Sequence, residues 1–108
     1  MPADPRAEYD TVVSDMTASS PVTSGKMFGM PCLKNDVGKA FAGFYHGAMV
    51  FKLGAPEHVS ALSLSGAQLF DPGDMGRPMK EWVVVPADHA SRWLEFAEAA
   101  FRYTSKAR

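Results

Sequence analysis

The chain has 108 residues, of which 46% are apolar, and this suffices for one compact domain that buries roughly two-thirds of the surface of its unfolded form. Its 11 basic and 12 acidic residues leave a net charge of −1, too little for the positive field on which nucleic-acid affinity depends, so direct binding to DNA or RNA is not expected. The sequence has no apolar signal-peptide core, no apolar run of membrane-spanning length and only one cysteine, so we expect a cytoplasmic protein without a disulfide.

The first predicted element is a short amphipathic helix over residues 4–17. Asp4 is a typical N-cap residue, and Pro5 suits the first helical position. Apolar residues then recur at helical spacing, at Tyr9, Val12, Val13 and Met16. Small polar residues and Pro21 predict a loop after this helix.

Residues 26–53 predict three antiparallel strands joined by tight turns. The strands are KMFGMPCLK, AFAGFYH and AMVFKL, and they are separated by NDVGK and by a His46-Gly47 turn. Alternation in the second and third strands predicts one buried face, formed by Phe41, Tyr45, Met49, Phe51 and Leu53.

The remaining half of the chain predicts two helices and two extended segments. APEHVSALSLSG predicts a short helix, AQLF a brief extended piece, and MKEWVVVP a strand that ends at Pro86. A last helix from Asp88 onward has an apolar stripe of 3.6-residue period. This order predicts an α+β fold, in which an N-terminal and a C-terminal helix cover an antiparallel sheet of about five strands, a meander plus the C-terminal strands.

Four segments occur in an order that resembles a known family. They are KMFGM (26–30), GKAFAGF (38–44), MVFKL (49–53) and GRPMKEWVVVP (76–86), followed by the aromatic-rich last helix. Together they resemble the TfoX N-terminal domain family, also called the TfoX/Sxy competence-regulator family. The resemblance implies an α+β domain associated with regulation of natural competence and transcription. Its best-known members also carry a C-terminal helical domain, which this sequence lacks, so we expect a single TfoX N-terminal-like domain over residues 1–108.

The segment GDMGRPMKEW predicts a turn whose rim is a candidate surface for binding a protein partner. Gly73 and Gly76 allow a sharp loop, and Pro78 fixes the direction in which the chain enters the strand. Charged and apolar side chains would then lie together on an exposed rim, a mixture typical of protein interfaces. The predicted rim consists of Met75, Arg77, Met79, Lys80, Glu81 and Trp82. The alternative interpretation is a solvated charge cluster at a turn.

Other chemistry has little support in the sequence. GDMGRPMK lacks the Walker pattern and does not open a helix, so phosphate binding is not favoured. His46, His58 and His89 lack the spacing of a metal site and predict surface histidines, and Cys32 lacks a catalytic signature and predicts a buried thiol. We therefore predict no catalytic residues, no metal and no cofactor.

The leading hypothesis is a small cytoplasmic binding or regulatory module that acts through protein contacts. The alternative is a small-molecule-binding or catalytic domain with a pocket between the sheet and the helices. Direct nucleic-acid binding would require four lysines to share one sheet face, namely Lys26, Lys34, Lys39 and Lys52. A homodimer formed through an exposed edge strand such as QLFD is also compatible with the sequence.

Overall fold

The computed structural model describes residues 4–27, 29–71, 76 and 79–106, and this part of the chain forms an α+β domain, as predicted. Its six antiparallel strands form one sheet in the order β1-β2-β3-β4-β6-β5. The strands are β1 (Thr23–Met27), β2 (Met30–Lys34), β3 (Ala40–Tyr45), β4 (Ala48–Lys52), β5 (Gln68–Phe70) and β6 (Met79–Val85). The helices are α1 (Pro5–Ser19), α2 (Glu57–Leu62) and α3 (Trp93–Lys106), and a 3₁₀ helix (Ala87–Arg92) precedes α3.

Helix α1 begins as the sequence predicts. The Asp4 carboxylate accepts a hydrogen bond from the backbone N–H of Arg6 at 3.3 Å, and Pro5 occupies the first helical position. The inner face of the helix buries Tyr9, Val12 and Met16. Only residues 20–22 connect α1 to β1, so the chain turns back beside the helix it has just left.

The segment KMFGMPCLK forms two strands instead of the one predicted, and this raises the strand count to six in the described residues. β1 and β2 pair antiparallel, with Met27 opposite Met30. Gly29 lies in the turn with φ +76°, a conformation that glycine adopts without steric cost. Because the loop contains only two residues, the apolar pattern on either side runs together in the sequence.

A β-bulge in β3 changes the face on which one aromatic ring lies. Leu33 pairs with Ala42, whereas the next residue of β2 pairs with Ala40. Phe41 is therefore one extra residue, and its ring joins the core beneath the helices. Tyr45, which period-two alternation placed on the same face as Phe41, packs against the opposite face.

The sheet separates two apolar clusters. The helix-side core lies between the sheet and the helices, and its largest members are at most 1% exposed: Phe41, Met49, Phe51, Leu53, Trp93 and Phe96. The outer cluster lies on the other face of the sheet and consists of Met30, Val50, Phe70 and Trp82. Both faces of the central strands are thus buried, which explains the nearly continuous apolar runs in β4 and β6.

The last predicted helix has two parts. A 3₁₀ helix spans Ala87–Arg92, with a kink inside it at His89 (φ −111°, ψ 25°), and α3 follows directly at Trp93. The predicted apolar stripe holds along α3, where Trp93, Ala97 and Thr104 are buried. Among the described residues, no helix combines the length and the hydropathy needed to cross a membrane.

We expect Trp93→Phe to lower the free energy of unfolding by about 2–4 kcal/mol. The Trp93 indole is fully buried and its Nε1 donates to the Val85 carbonyl at 3.2 Å, so the change leaves a cavity and removes this buried hydrogen bond. Urea unfolding followed by circular dichroism measures the change. Val59→Ala, at a side chain that is 66% exposed, is the control and should shift stability by less than about 0.5 kcal/mol. Equal stabilities of Trp93→Phe and wild type would contradict the expectation.

Candidate functional site

The structure divides the predicted rim between the faces of one strand. Met75 and Arg77 lie outside the described residues, and the other four residues open β6. Since successive side chains of a strand point to opposite faces, these four do not all lie on one face of the sheet. Their burial differs accordingly: Lys80 and Glu81 are exposed, Met79 is half-buried, and Trp82 is 6% exposed.

Trp82 belongs to the outer cluster and does not form part of an exposed rim. Its ring centroid lies 6.5 Å from that of Phe70, which in turn meets Tyr45 edge-on at 5.0 Å. Met79 packs against the same cluster. Trp82 therefore anchors the start of β6 to the sheet, and the exposed part of the rim consists of Lys80 and Glu81 beside Met79.

Glu81 opens onto a small polar cleft on the helix side of the sheet. The cleft has a volume of about 140 Å³ and is lined by Lys39, Lys52, Glu81, Tyr103 and Thr104. The Tyr103 hydroxyl donates to the Glu81 carboxylate, and the Lys52 ammonium lies 3.8 Å from it. The hydrogen bond to Glu81 raises the pKa of Tyr103, because ionisation would remove the donated proton, and desolvation adds to the effect.

A buried asparagine holds one wall of this cleft in place. Asn35 is 2% exposed, and its side-chain oxygen accepts the backbone N–H groups of Val37 and Lys39 at 3.0 Å each. Its amide nitrogen donates to the Thr104 hydroxyl at 3.1 Å. The turn before β3 is thereby fixed against α3, which places Lys39 at the edge of the cleft. Sequence reasoning missed this contact because Asn35 and Thr104 are 69 positions apart.

Helix α2 is tied to the start of β6. The Nε2 of His58 donates to the Lys80 carbonyl at 2.7 Å. The next residue, Val59, is 66% exposed, the highest value for a large apolar side chain in the described part of the chain. We call Val59, Met79, Lys80 and Glu81 the β6 surface. They surround the start of β6 from both faces of the sheet, with Met79 against the outer cluster and Glu81 at the cleft, and the His58 bond joins the two elements that carry them.

The three histidines and Cys32 occupy positions in which they support the fold. His46 adopts φ +50° in the β3–β4 turn, as the predicted His46-Gly47 turn requires. His89 is half-buried and its Nε2 donates to the Ser65 carbonyl at 2.9 Å, so it and His58 join loops to the rest of the fold. Cys32 is buried, as predicted, and this burial raises the pKa of its thiol. Over the described residues, no three His, Cys, Asp or Glu side chains are grouped so that they could hold a metal ion.

The centre of the interface between sheet and helices is filled. Phe51, Trp93 and Phe96 occupy it at 0–1% exposure. A groove of about 650 Å³ lies instead between the β3–β4 turn and β5, with Tyr45 and Phe70 among its walls. The pocket that the alternative hypothesis places beneath the helices thus coincides with the helix-side core.

The four lysines named for nucleic-acid binding do not share one face. Lys26 lies beside α1, in a groove that also contains Arg6. The Lys34 side chain crosses Gly25 on the outer face. It passes so close that a Cβ atom added to Gly25 would lie 3.1 Å from the Lys34 Cε. Lys39 and Lys52 line the polar cleft with Glu81. This distribution gives no continuous basic surface among these residues.

No family model, no curated protein and no solved structure matches this chain. The resemblance to the TfoX N-terminal domain family therefore stays a prediction.

We expect Glu81→Ala to lower the pKa of Tyr103 toward the ordinary value of about 10. In the wild type the pKa of Tyr103 is raised, so the Glu81–Tyr103 bond stabilises the fold fully at pH values below the unfolded-state pKa of Tyr103. This stabilisation is lost as the pH rises through the folded-state pKa. The ¹³Cζ resonances of the tyrosines, followed by NMR against pH, measure the shift. Tyr9, whose pKa burial raises to about 12, is the internal control. A Tyr103 titration that is the same in Glu81→Ala and in wild type would contradict the assignment.

Proposed function

We propose that this domain is a small cytoplasmic binding or regulatory module that acts through contacts with a protein partner, and that the β6 surface makes the contact. The observation that carries the proposal is the His58–Lys80 hydrogen bond of 2.7 Å. It holds α2, with the exposed Val59, against the strand that presents Lys80 and Glu81. The resemblance to the TfoX N-terminal domain family supports a role in transcription or competence-type regulation.

The β6 surface is rigid before any partner binds. Trp82 holds the strand from the outer face, His58 holds the Lys80 carbonyl, and Tyr103 holds the neighbouring carboxylate of Glu81. Groups that are already fixed lose less conformational entropy on binding, so more of the contact energy appears as affinity. Lys80 has no ion pair with any described residue and is available to an acidic group of the partner.

The raised pKa values of Tyr9, Cys32 and Tyr103 have structural causes. The raised pKa values of Tyr9 and Cys32 have burial as their largest cause, and that of Tyr103 has one hydrogen bond. Tyr9 lies on α1, Cys32 on β2 and Tyr103 on α3. The charge of Cys32 is the second cause of the raised Tyr9 pKa, after burial, whereas the raised Tyr103 pKa arises mainly from its hydrogen bond to Glu81.

The test is capture of a partner from native lysate, identified by mass spectrometry, followed by calorimetry with the purified partner. Lys80→Glu and Val59→Ser should each weaken binding about tenfold, which corresponds to about 1.4 kcal/mol. The double variant Arg77→Ala/Lys80→Ala covers the rest of the predicted rim and should also weaken binding with the fold intact.

Matched controls separate this surface from general effects of charge and polarity. Arg102→Glu makes a comparable charge reversal at an exposed site on α3, and Val37→Ser makes the same polar change at a side chain that is 48% exposed. Both should bind as the wild type does. A partner that is lost by the controls and retained by Lys80→Glu would move the interface elsewhere. If no protein is retained specifically, binding of a small molecule in the groove beside Tyr45 and Phe70 becomes the better hypothesis.

A further inference from the structure

Strand β1 forms a regular free edge of the sheet. It is the first strand in the sheet order, and in the described part of the chain only β2 pairs with it. Its five residues pair with β2 without a register shift. The other edge strand, β5, has only three residues and a register shift between Leu69 and Phe70. β1 is therefore the longer and more regular edge.

The register shows which backbone groups of β1 point away from the sheet. Lys26 pairs with Pro31, which has no N–H to donate. In an antiparallel ladder, hydrogen-bonded pairs alternate with pairs that are not hydrogen-bonded, so the bonds to β2 come from the neighbouring positions, such as Gly25 opposite Cys32. The N–H and C=O groups of Ser24 and Lys26 consequently face the free edge.

A groove runs between this edge and α1. Its volume is about 340 Å³, with Tyr9 and Val13 of α1 on one side, Ser24 and Lys26 of β1 on the other, and Pro31 between them. Ser24 pairs with Leu33, a member of the helix-side core, so the side chains of Ser24 and Lys26 lie on the same face as α1. An added strand would place every second side chain in this groove.

The groove has one unmatched positive charge. Arg6 is paired with Asp10 at 3.1 Å, and its guanidinium lies over the Tyr9 ring at 5.6 Å. Lys26 is exposed and has no ion pair within the described residues. Pairing of two copies through β1 would bring two such lysines onto one face, which is unfavourable. A segment with an acidic side chain complements the groove better than a second copy does.

We propose that β1 binds an extended peptide segment of a partner protein as an additional strand, with an acidic residue beside Lys26 and apolar side chains in the groove along α1. This proposal rests on the protein-binding function proposed above and specifies the chemistry of the partner. It uses a surface separate from the β6 surface, since three strands, β2, β3 and β4, lie between β1 and β6 in the sheet.

The test begins with a phage-displayed library of random linear 12-residue peptides selected against the wild-type domain. We expect enriched peptides to combine acidic residues with alternating apolar ones. Fluorescence polarisation with a synthetic copy of an enriched peptide then compares variants. Ser24→Pro removes one outward N–H without touching the β2 ladder and should weaken binding about tenfold, as should Lys26→Glu. Lys34→Glu makes the same charge change on the outer face and should bind as wild type does, and so should Lys80→Glu.

Amide hydrogen exchange tests the same point without a substitution. In the free domain the amides of Ser24 and Lys26 should exchange rapidly and those of Thr23 and Gly25 slowly. Saturating peptide should slow Ser24 and Lys26 about tenfold or more. This readout holds even if Ser24→Pro fails to fold.

Three results would overturn the proposal. The first is a library selection that enriches no peptide. The second is a peptide that protects amides outside β1, or whose binding is abolished by Lys80→Glu and not by Ser24→Pro. The latter pattern would leave the β6 surface as the binding site. The third is a dimer in light scattering that Ser24→Pro dissociates, because the occupant of the edge would then be a second copy.

Discussion

Strand β6 is the element on which both faces of the domain depend. It lies between β4 and β5, and it places Val83 and Val85 in the helix-side core and Trp82 in the outer cluster. Side chains of α2 and α3 also form hydrogen bonds with it. These bonds come from His58 to the Lys80 carbonyl, from Trp93 to the Val85 carbonyl and from Tyr103 to the Glu81 carboxylate. A strand that is buried on both faces and bonded along its length cannot shift in register without losing several of these contacts together.

The exposed chemistry of the domain follows from this arrangement. Trp82 and Glu81 are engaged by the fold, so Lys80 is the side chain at the start of β6 that remains directed at solvent. Because its neighbours on both sides are fixed, the position of Lys80 is defined by the core and not by a loop. The same packing explains why a chain of nearly neutral net charge can still present a localised cation to a partner.

The sequence was sufficient for features that depend on local patterns. The α+β class, the Asp4–Pro5 helix start, the His46-Gly47 turn and the apolar stripe of α3 were predicted from spacing and are present. Features that depend on partners across the sheet were not predictable in this way. The β1–β2 turn interrupts an apolar run by only two residues, the Phe41 bulge exists only in relation to β2, and Asn35 meets Thr104 through the tertiary fold. The burial of Trp82 likewise depends on Phe70, which arrives from another strand.

The two edges of the sheet differ in what they offer to another chain, and the difference bears on function. β5 offers only three residues and a shifted register, so there is little regular backbone for another strand to bind. β1 has a regular backbone, and its protection against self-association comes from the charge on Lys26. A short, irregular edge excludes every strand alike, whereas a charged edge excludes only strands of like charge. The β1 edge therefore combines resistance to self-pairing with selectivity for an acidic segment, and one side chain supplies both properties.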